Sequence, residues 1–250
     1  ESVADLLHGQ VLSRDELVSE LVQDKRFKGI EEQLRSGWGA LLKPLAWQGA
    51  LCYGPSPSSK ATFTHPASLL KNWNGLPDPA EAAPAVIKRY LSAYGPATPE
   101  TFDAWLSRNS NKKSTLRSWF ASLGEQIVEV RVEGETRYLL AEHEDELAAT
   151  RPSRATHLLG AFDQFVLGPG TKDTHMLAHE HRPLVSKAAG WIAPVLTQGG
   201  RITGVWEMDD GNLVVTPFPG EQAPPSQVLE DAAARLTAVH GSVKVTPRVD

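Results

Sequence analysis

The stretch Leu12-Ser13-Arg14-Asp15-Glu16-Leu17 decides the fold, because a similar stretch, Ala97-Thr98-Pro99-Glu100-Thr101-Phe102, stands 85 residues later. A second pair recurs at nearly the same distance: Leu34-Arg35-Ser36-Gly37-Trp38 is echoed by Leu116-Arg117-Ser118-Trp119-Phe120. Each copy is typical of a short capped helix, a loop, a second helix and a β-hairpin. This is the order of a winged helix, a helix-turn-helix module that usually binds nucleic acid. The repeat therefore predicts two winged helices in tandem.

The helix starts in the two copies have defined chemical signals. Ser13-x-x-Glu16 is a capping box, which supplies acceptors for the free N–H groups of a first helical turn. Thr98 is an N-cap residue, and Pro99 follows at the favoured first helical position. We expect the second helix of the first copy to run from Ile30 to Leu42.

The hairpin of each copy is indicated by turn residues between short alternating runs. In the first copy, Gly54–Lys60 separates a strand within Trp47–Tyr53 from its return strand. In the second copy, Glu133-Gly134-Glu135 separates two longer runs, Ile127–Val132 and Thr136–Leu140.

From Leu158 onward the sequence becomes rich in β signals, with one amphipathic helix at 227–239 and a short last strand at 243–245. Strands are expected at 165–167, 191–197, 202–207 and 213–218, with hairpin turns at Gly199-Gly200 and Asp210-Gly211. We interpret this part as a small β-barrel or curled sheet carrying one helix. The predicted fold class is α+β, with winged helices at 1–72 and 73–152 and a β-barrel-like domain at 153–250.

Composition describes an ordinary cytoplasmic protein rather than a membrane protein. No apolar run approaches the roughly 18 residues of a membrane span. Cys52 is the single cysteine, so an intramolecular disulfide is excluded, which suits a reducing compartment. Residue 1 is glutamate rather than methionine, as expected if the chain is a fragment.

The net charge of −5 argues against a generic polyanion binder. The acidic excess lies toward the C-terminus, since residues 1–75 carry eight basic and eight acidic side chains. A local basic face can still bind phosphates, because salt screens charges beyond about 10 Å.

The basic loops before the second helix of each copy are the candidate DNA contacts. Lys28 and Lys113 stand at matching places, 85 residues apart. A helix N-terminus with lysine suits a phosphate, and an exposed arginine on the helix suits a base edge. The alternative is a pair of solvated loops that are basic by chance. The predicted DNA-binding residues are Lys25, Arg26, Lys28, Arg35, Lys112, Lys113, Ser114 and Arg117.

Other clusters of polar and aromatic residues are weaker candidates. His175, His179 and His181 have a spacing that can bind zinc, but we interpret them as surface histidines on a strand and loop and expect no metal. Asp163 lies between two aromatic residues and is expected either to pair with a basic residue or to face DNA. The seven tryptophans are scattered at core-like positions and form no obvious stacking platform. The common signatures of hydrolases, phosphate-binding loops and zinc proteases are missing from the sequence.

Four segments resemble the AlkZ-like winged-helix family. Leu158–Gly168 is similar to that family's LL-x-x-FD-x-aromatic-LLG signature, and Gly199–Trp206 to its G-R-x-x-G-x-W strand. Tyr94–Thr98 and Gly134–Leu140 resemble its Y-G-P helix opening and its wing. The resemblance covers nearly the whole chain.

The resemblance implies a DNA glycosylase that excises alkylated bases, including those in interstrand crosslinks. It implies tandem winged helices and a C-terminal β-barrel around a DNA cleft. The family's catalytic signature, glutamine, an apolar residue and then Gln or Asp, lies in its first winged helix. This sequence contains no such triplet and resembles the family from the second winged helix onward. Either the catalytic module is missing from a fragment, or the protein is a non-catalytic relative, so no catalytic residue is carried over.

We therefore expect the DNA-holding part of an alkylation or crosslink-repair glycosylase, with double-stranded DNA as partner and without membrane, metal or cofactor. The alternatives are a non-catalytic winged-helix regulator and a protein-interaction module. A sequence-specific DNA site or an effector pocket would favour the regulator. Absent or salt-insensitive DNA binding would favour the interaction module.

Overall fold

A computed structural model describes residues 1–37, 39–56, 59–240 and 247–249, with the backbone alone for 237–240 and 247–249. The expected core position of Trp38, the centre of the turn at 54–60 and the expected strand at 243–245 lie outside this range. The chain divides into two compact units, Glu1–Ala82 and Ala83–Asp250. The three-domain division with boundaries at 72 and 152 stays a prediction.

The first unit contains five short helices and a three-stranded antiparallel sheet among its described residues. The strands lie in the order β1-β3-β2, with Leu12 opposite Phe63 and Tyr53 opposite the same residue. In chain order the elements are α1 (Ser2–Leu7), β1 (Leu12–Ser13), α2 (Arg14–Leu21), a 3-10 turn (Lys28–Ile30), α3 (Glu31–Arg35), α4 (Leu42–Trp47), β2 (Cys52–Tyr53), β3 (Thr62–Thr64) and α5 (Pro66–Leu69).

The expected single helix from Ile30 to Leu42 is wrong. The backbone leaves the helix at Ser36, whose ψ is 129°, and Gly39 has a φ of 62°. Glycine favours such a break, because it loses the most conformational freedom in a helix. The expected strand within Trp47–Tyr53 is shortened for a related reason, since α4 continues to Trp47 and the chain turns at Gly49.

The core of the first unit is formed by aliphatic side chains and one phenylalanine. Beside it lies a cavity of about 230 Å³, bordered by Arg14, Leu42, Cys52 and Phe63 among others. Partial burial raises the pKa of the Cys52 thiol, because the charged thiolate loses hydration. The buried residues are Val3, Leu7, Leu17, Val18, Leu21, Leu34, Leu42, Leu51 and Phe63.

The second unit begins with the same order of elements in a longer form. Ala97 forms a β-bridge with Tyr138, in the place that β1 takes beside β3 in the first unit. The elements are α6 (Pro79–Tyr94), α7 (Pro99–Ser107), α8 (Lys113–Ala121), a 3-10 turn (Gly124–Gln126), β4 (Ile127–Val132), β5 (Glu135–Leu140), a 3-10 turn (Ala141–His143) and α9 (Glu144–Ala149). We call residues 12–64 the first repeat and residues 97–140 the second repeat.

Both predicted helix caps are confirmed. Ser13 accepts a hydrogen bond from the Glu16 N–H at 3.3 Å, and its own N–H donates to the Glu16 carboxylate at 2.8 Å. In the second repeat Thr98 and Thr101 exchange the equivalent bonds at 3.1 and 3.0 Å. The Ser13 contact lowers the pKa of Glu16, since it stabilises the carboxylate.

The rest of the second unit is a five-stranded sheet in the order β10-β9-β8-β7-β6. Neighbouring strands are antiparallel except for β10, which is parallel to β9. The elements are β6 (Thr156–Leu159), α10 (Gln164–Leu167), a 3-10 turn (His179–His181), α11 (Arg182–Val185), a 3-10 turn (Ala188–Gly190), β7 (Val195–Gln198), β8 (Arg201–Asp209), β9 (Asn212–Pro217), α12 (Ser226–His240) and β10 (Pro247–Val249).

The expectation of a β-barrel is wrong for the described strands, because the sheet is open and β6 and β10 form its two edges. The predicted amphipathic helix, α12, covers the sheet instead. Its Leu229, Ala232 and Ala233 pack into one core with strand residues Leu158, Leu196, Leu213 and Val215. Apolar strand residues are thus buried without closure of the sheet.

Two predicted strands differ from the structure, whereas both predicted hairpin turns are confirmed. Residues 165–167 belong to helix α10, whose first turn is capped by Asp163. The expected strand at 191–197 begins at Val195, because Ile192 pairs with Ser186 in an isolated β-bridge rather than with a strand of the sheet.

Helix α6 is tied to the segment around Gly168 within the second unit. The Tyr90 hydroxyl donates to the Gly168 carbonyl at 3.2 Å, and the Tyr94 hydroxyl donates to Gln164 at 3.0 Å. A Cβ atom at Gly168 would lie 2.2 Å from the Tyr94 ring. Glycine is therefore required where this segment crosses the helix.

In the described part of the chain, no helix is both long and apolar enough to cross a membrane.

Candidate nucleic-acid interface

The second repeat places four of the predicted DNA-binding residues together at the start of helix α8. Lys112 is the N-cap residue, Lys113 and Ser114 open the helix, and Arg117 follows one turn later. All four are exposed, while Leu116 and Phe120 on the opposite face are buried. Free N–H groups and the positive end of the helix dipole add to the lysine charges there. This end of α8 is suited to bind phosphate.

The loop that leads to α8 is held by a buried aspartate that the sequence analysis missed. Asp103 is 3% exposed and accepts hydrogen bonds from Ser107 at 2.5 Å and from the Asn111 amide at 2.7 Å. Arg108 and Asn109 adopt left-handed φ values of 57° and 64° in this loop. The run Ser107-x-x-x-Asn111, four and eight residues after Asp103, was the available signal in the sequence.

The first repeat places its four predicted residues less favourably. Lys25 and Lys28 are exposed, and Lys28 opens a 3-10 turn rather than a long helix. Arg26 is bound to Asp24 through Nη2 at 2.6 Å and through Nε at 2.8 Å. Arg35 lies at the end of α3, where it pairs with Asp15 and Glu31 at 3.0 Å each.

These ion pairs change the electrostatics of the first repeat. Hydrogen bonding by Arg26 lowers the pKa of Asp24, and the carboxylate in turn raises the pKa of Arg26. A DNA phosphate would have to displace Asp24 to use Arg26 fully. The lysines are thus the better placed cations of this repeat.

The hairpin tip of the second repeat is acidic and is bound within the protein. His175 contacts Glu133 through Nδ1 at 2.7 Å and Glu135 through Nε2 at 3.3 Å. Arg137 pairs with Glu135 and with Asp173, each at 3.2 Å. Hydrogen bonds from His175 and Arg137 lower the pKa of Glu135. Two carboxylates at the tip disfavour a phosphate there, so the start of α8 is the better candidate surface.

The three histidines do not lie on a strand, which corrects that expectation. His175 contacts the hairpin tip, and His179–His181 is a 3-10 turn. His179 is exposed, whereas His181 is buried with its ring 4.6 Å from that of Phe218. Within the described ranges, no group of three or more His, Cys, Asp or Glu side chains could hold a metal ion.

Asp163 has a structural role, but as a helix cap rather than as the expected partner of a basic residue. Its carboxylate accepts a hydrogen bond from the Phe165 N–H at 2.8 Å. This contact starts α10, as a short acidic side chain commonly does at an N-cap.

The tryptophans are not all core residues, contrary to expectation. Trp47 is 74% exposed and Trp191 is 51% exposed. The spacing of apolar residues in the sequence does not distinguish Trp47 and Trp191 from buried positions, because both residues lie beside turns.

The comparison with known protein families decides the classification. The chain matches the family described as DNA glycosylase AlkZ-like over residues 1–239. It belongs to this family.

A relative and a solved structure agree with the assignment to the AlkZ-like family. The relative, an interstrand DNA cross-link repair glycosylase from Streptomyces sahachiroi, is 55% identical over all 250 residues of this chain, which span 67% of the relative. The structure of the Streptomyces sahachiroi DNA glycosylase AlkZ matches with a TM-score of 0.92 at 55% identity, covering 100% of this chain and 67% of that one. The resemblance seen in the sequence is thus confirmed.

Proposed function

We propose that this chain holds double-stranded DNA for an AlkZ-like glycosylase that repairs alkylation damage and interstrand crosslinks. The observation that carries the proposal is membership of the family together with 55% identity to a crosslink-repair glycosylase. It favours repair over a regulator or a protein-interaction module. We further expect the protein to act in the cytoplasm.

Two winged helices are supported by the order and pairing of the elements. In each repeat a capped helix and a second helix precede a hairpin. The last strand of each hairpin also pairs with the residues just before the capped helix, as Phe63 does with Leu12 and Tyr138 with Ala97. This pairing joins the hairpin to the helices, as a wing requires.

The proposed DNA contacts are the basic residues before and on the second helix of each repeat. Lys112, Lys113, Ser114 and Arg117 carry the argument, because they are exposed at one helix start. Lys25, Lys28, Arg26 and Arg35 are proposed as contacts of the first repeat. Each lysine–phosphate contact releases condensed counterions, so binding should weaken as salt rises.

No catalytic residue is proposed within this chain. A glutamine followed two residues later by Gln or Asp does not occur in its sequence. We expect the chain to bind alkylated duplex DNA without releasing the damaged base. Base release by this chain alone would contradict that assignment.

The test is binding to plain and alkylated duplex DNA at several salt concentrations, with the double variant Lys28→Glu and Lys113→Glu. We expect at least about a tenfold loss of affinity and a salt slope reduced by about two, since each lost phosphate contact contributes roughly 0.9. The control is Lys71→Glu with Lys88→Glu, which makes the same charge change at exposed positions elsewhere in the two units. Equal losses in both double variants would show that net charge alone, rather than these positions, governs binding.

A further inference from the structure

We propose that Phe162 and Trp191 form a stacking site for an unpaired DNA base. This inference rests on the proposed DNA-holding function and adds a contact that the basic residues do not provide. The two rings meet edge to face, with centroids 5.0 Å apart and planes at 85°. Phe162 is 42% exposed and Trp191 is 51% exposed. Large aromatic side chains are normally used to stabilise a core, so paired exposed rings point to a ligand.

The backbone that presents Phe162 is strained. Phe162 has a φ of 58° in a turn in which the Asp163 N–H donates to the Gly160 carbonyl. This position of a turn normally takes glycine or asparagine, because a Cβ atom disfavours left-handed φ. Strain of this kind persists where surrounding structure enforces it, and it is concentrated at functional sites.

The segment that presents Trp191 has a similar irregularity. The Lys187 N–H donates to the Trp191 carbonyl at 2.8 Å, which closes a tight loop with Ala189 at its tip. Ala189 has a φ of 56°, again where glycine would be expected. Two neighbouring loops thus each hold a non-glycine residue in a left-handed conformation beside one exposed aromatic pair.

The loop that carries Phe162 is fixed by hydrogen bonds at its base. The Trp206 indole N–H donates to the Leu159 carbonyl at 2.9 Å, just before the turn of Phe162. The Asp163 cap on the Phe165 N–H follows directly after the turn. A fixed turn keeps the ring in place before the ligand arrives, which reduces the entropy lost on binding.

The size and charge of the site favour a base over a protein partner. Two rings offer far less than the roughly 800 Å² per partner of a standard protein interface. Aromatic rings stack on any base, since every base has a π face. Lys187 is exposed in the loop that carries Trp191 and is suited to a neighbouring phosphate. An unpaired base is available in DNA that has lost normal pairing at damage.

The test compares a duplex carrying one bulged 2-aminopurine with the same duplex fully paired. We expect wild-type protein to bind the bulged duplex more tightly and to quench the 2-aminopurine fluorescence. Phe162→Gly and Trp191→Ala should each lower affinity for the bulged duplex about 5- to 100-fold, the range for loss of one stacked base. Affinity for the paired duplex should change less than about twofold.

Two further variants separate stacking from folding. Trp191→Phe keeps a ring and should retain most of the preference and the quenching. Met208→Ala, at a side chain 46% exposed in the β8–β9 hairpin, removes exposed apolar surface elsewhere and should change neither. Because glycine adopts a φ of 58° without strain, Phe162→Gly should keep the melting temperature of the wild type.

The outcomes are distinguishable. Wild-type protein that binds both duplexes equally and does not quench the probe overturns the stacking site alone. Equal losses for both duplexes in the two ring variants overturn it as well, since the rings would then act through the fold. Wild-type protein that binds neither duplex overturns the proposed function and the stacking site with it.

Discussion

The first and second repeats have the same order of elements but differ in the length and continuity of those elements. In the second repeat, α8 is a continuous helix of nine residues, and the hairpin strands have six residues each. In the first repeat, the corresponding helix is divided between α3 and α4, and the hairpin strands have two and three residues.

The cores of the repeats differ in composition. Phe102 lies at the centre of the second repeat's core with 0% exposure, and its ring contacts those of Tyr90 and Phe120. In the described part of the first repeat, Phe63 is the single buried aromatic residue of a core that is otherwise aliphatic. One order of elements is thus compatible with an aromatic core and with a mainly aliphatic one. The second repeat also carries the better defined candidate surface for DNA.

The largest effect should come from breaking the buried ion pair between Arg137 and Asp173. The described residues of the first repeat contain no buried ion pair of this kind. The Arg137 and Asp173 side chains are 11% and 4% exposed. Asp173→Ala removes the buried carboxylate of this pair and leaves the Arg137 cation with the exposed Glu135 carboxylate alone. The free energy of unfolding should fall by about 3–5 kcal/mol. Urea unfolding followed by tryptophan fluorescence measures this.

The matched control is Asp24→Ala, which removes the exposed pair with Arg26 in the first repeat and should change stability by less than about 1 kcal/mol. Replacing both partners, with Arg137→Met and Asp173→Leu, should recover much of the loss, because no unpaired charge remains. Equal effects of Asp173→Ala and Asp24→Ala would remove this distinction between the repeats.

A medium effect is expected from replacing the two aspartates that hold the loops before the second helices. The two replacements should change the affinity for DNA in opposite directions. Asp103→Ala removes the buried carboxylate that accepts hydrogen bonds from Ser107 and Asn111 and should lower stability by about 2–3 kcal/mol. Because the loop leads into α8, the affinity of the Asp103→Ala variant for duplex DNA should also fall. Asp24→Ala should instead raise affinity a few-fold, since it frees Arg26 for phosphate. Titrations of labelled duplex at one salt concentration compare the two, and a fall in affinity for both variants would contradict the assignment of Arg26.

The smallest effect should be the pH dependence of the acidic hairpin tip. His175 and Arg137 lower the pKa of Glu135 below its ordinary value of 4.5. A carboxyl group with a lowered pKa in the folded state stabilises the protein above its unfolded pKa, and this contribution is lost as pH falls through the folded value. The free energy of unfolding of Glu135→Gln should therefore fall less than that of wild type below pH 4.5. Near neutral pH, the free energies of the two proteins should depend on pH equally. If the free energies of unfolding of wild type and Glu135→Gln fell in parallel across the acidic range, the contact of Glu135 with His175 and Arg137 would be contradicted.

Much of this architecture was predictable from local sequence signals. Ser13, Thr98, Gly134 and Gly211 act within a few residues of themselves, so the caps and hairpin turns they specify followed from the sequence. The division between α3 and α4 did not follow, because the apolar spacing of Leu34 and Leu41 suits a continuous helix equally well.

The unpredicted features depend on contacts between residues far apart in the chain. The open sheet depends on α12 packing against β6, roughly seventy residues earlier in the sequence. The pairing of Arg26 and Arg35 with nearby carboxylates depends on which acidic side chains the fold brings close. The exposure of Phe162 and Trp191 likewise arises from tertiary structure, since aromatic residues beside apolar neighbours are otherwise typical of cores.

The crossing of helix α6 and Gly168 has a consequence for limited proteolysis. Residues 150–154 between α9 and β6 are exposed and lack regular structure, so they are suited to cleavage. The segments on either side remain joined by the Tyr90 and Tyr94 hydrogen bonds and by the Arg137–Asp173 ion pair. Cleavage there should yield two bands in a denaturing gel but a single species in gel filtration. A larger residue at position 168 should weaken this association, because its Cβ atom would displace the Tyr94 ring.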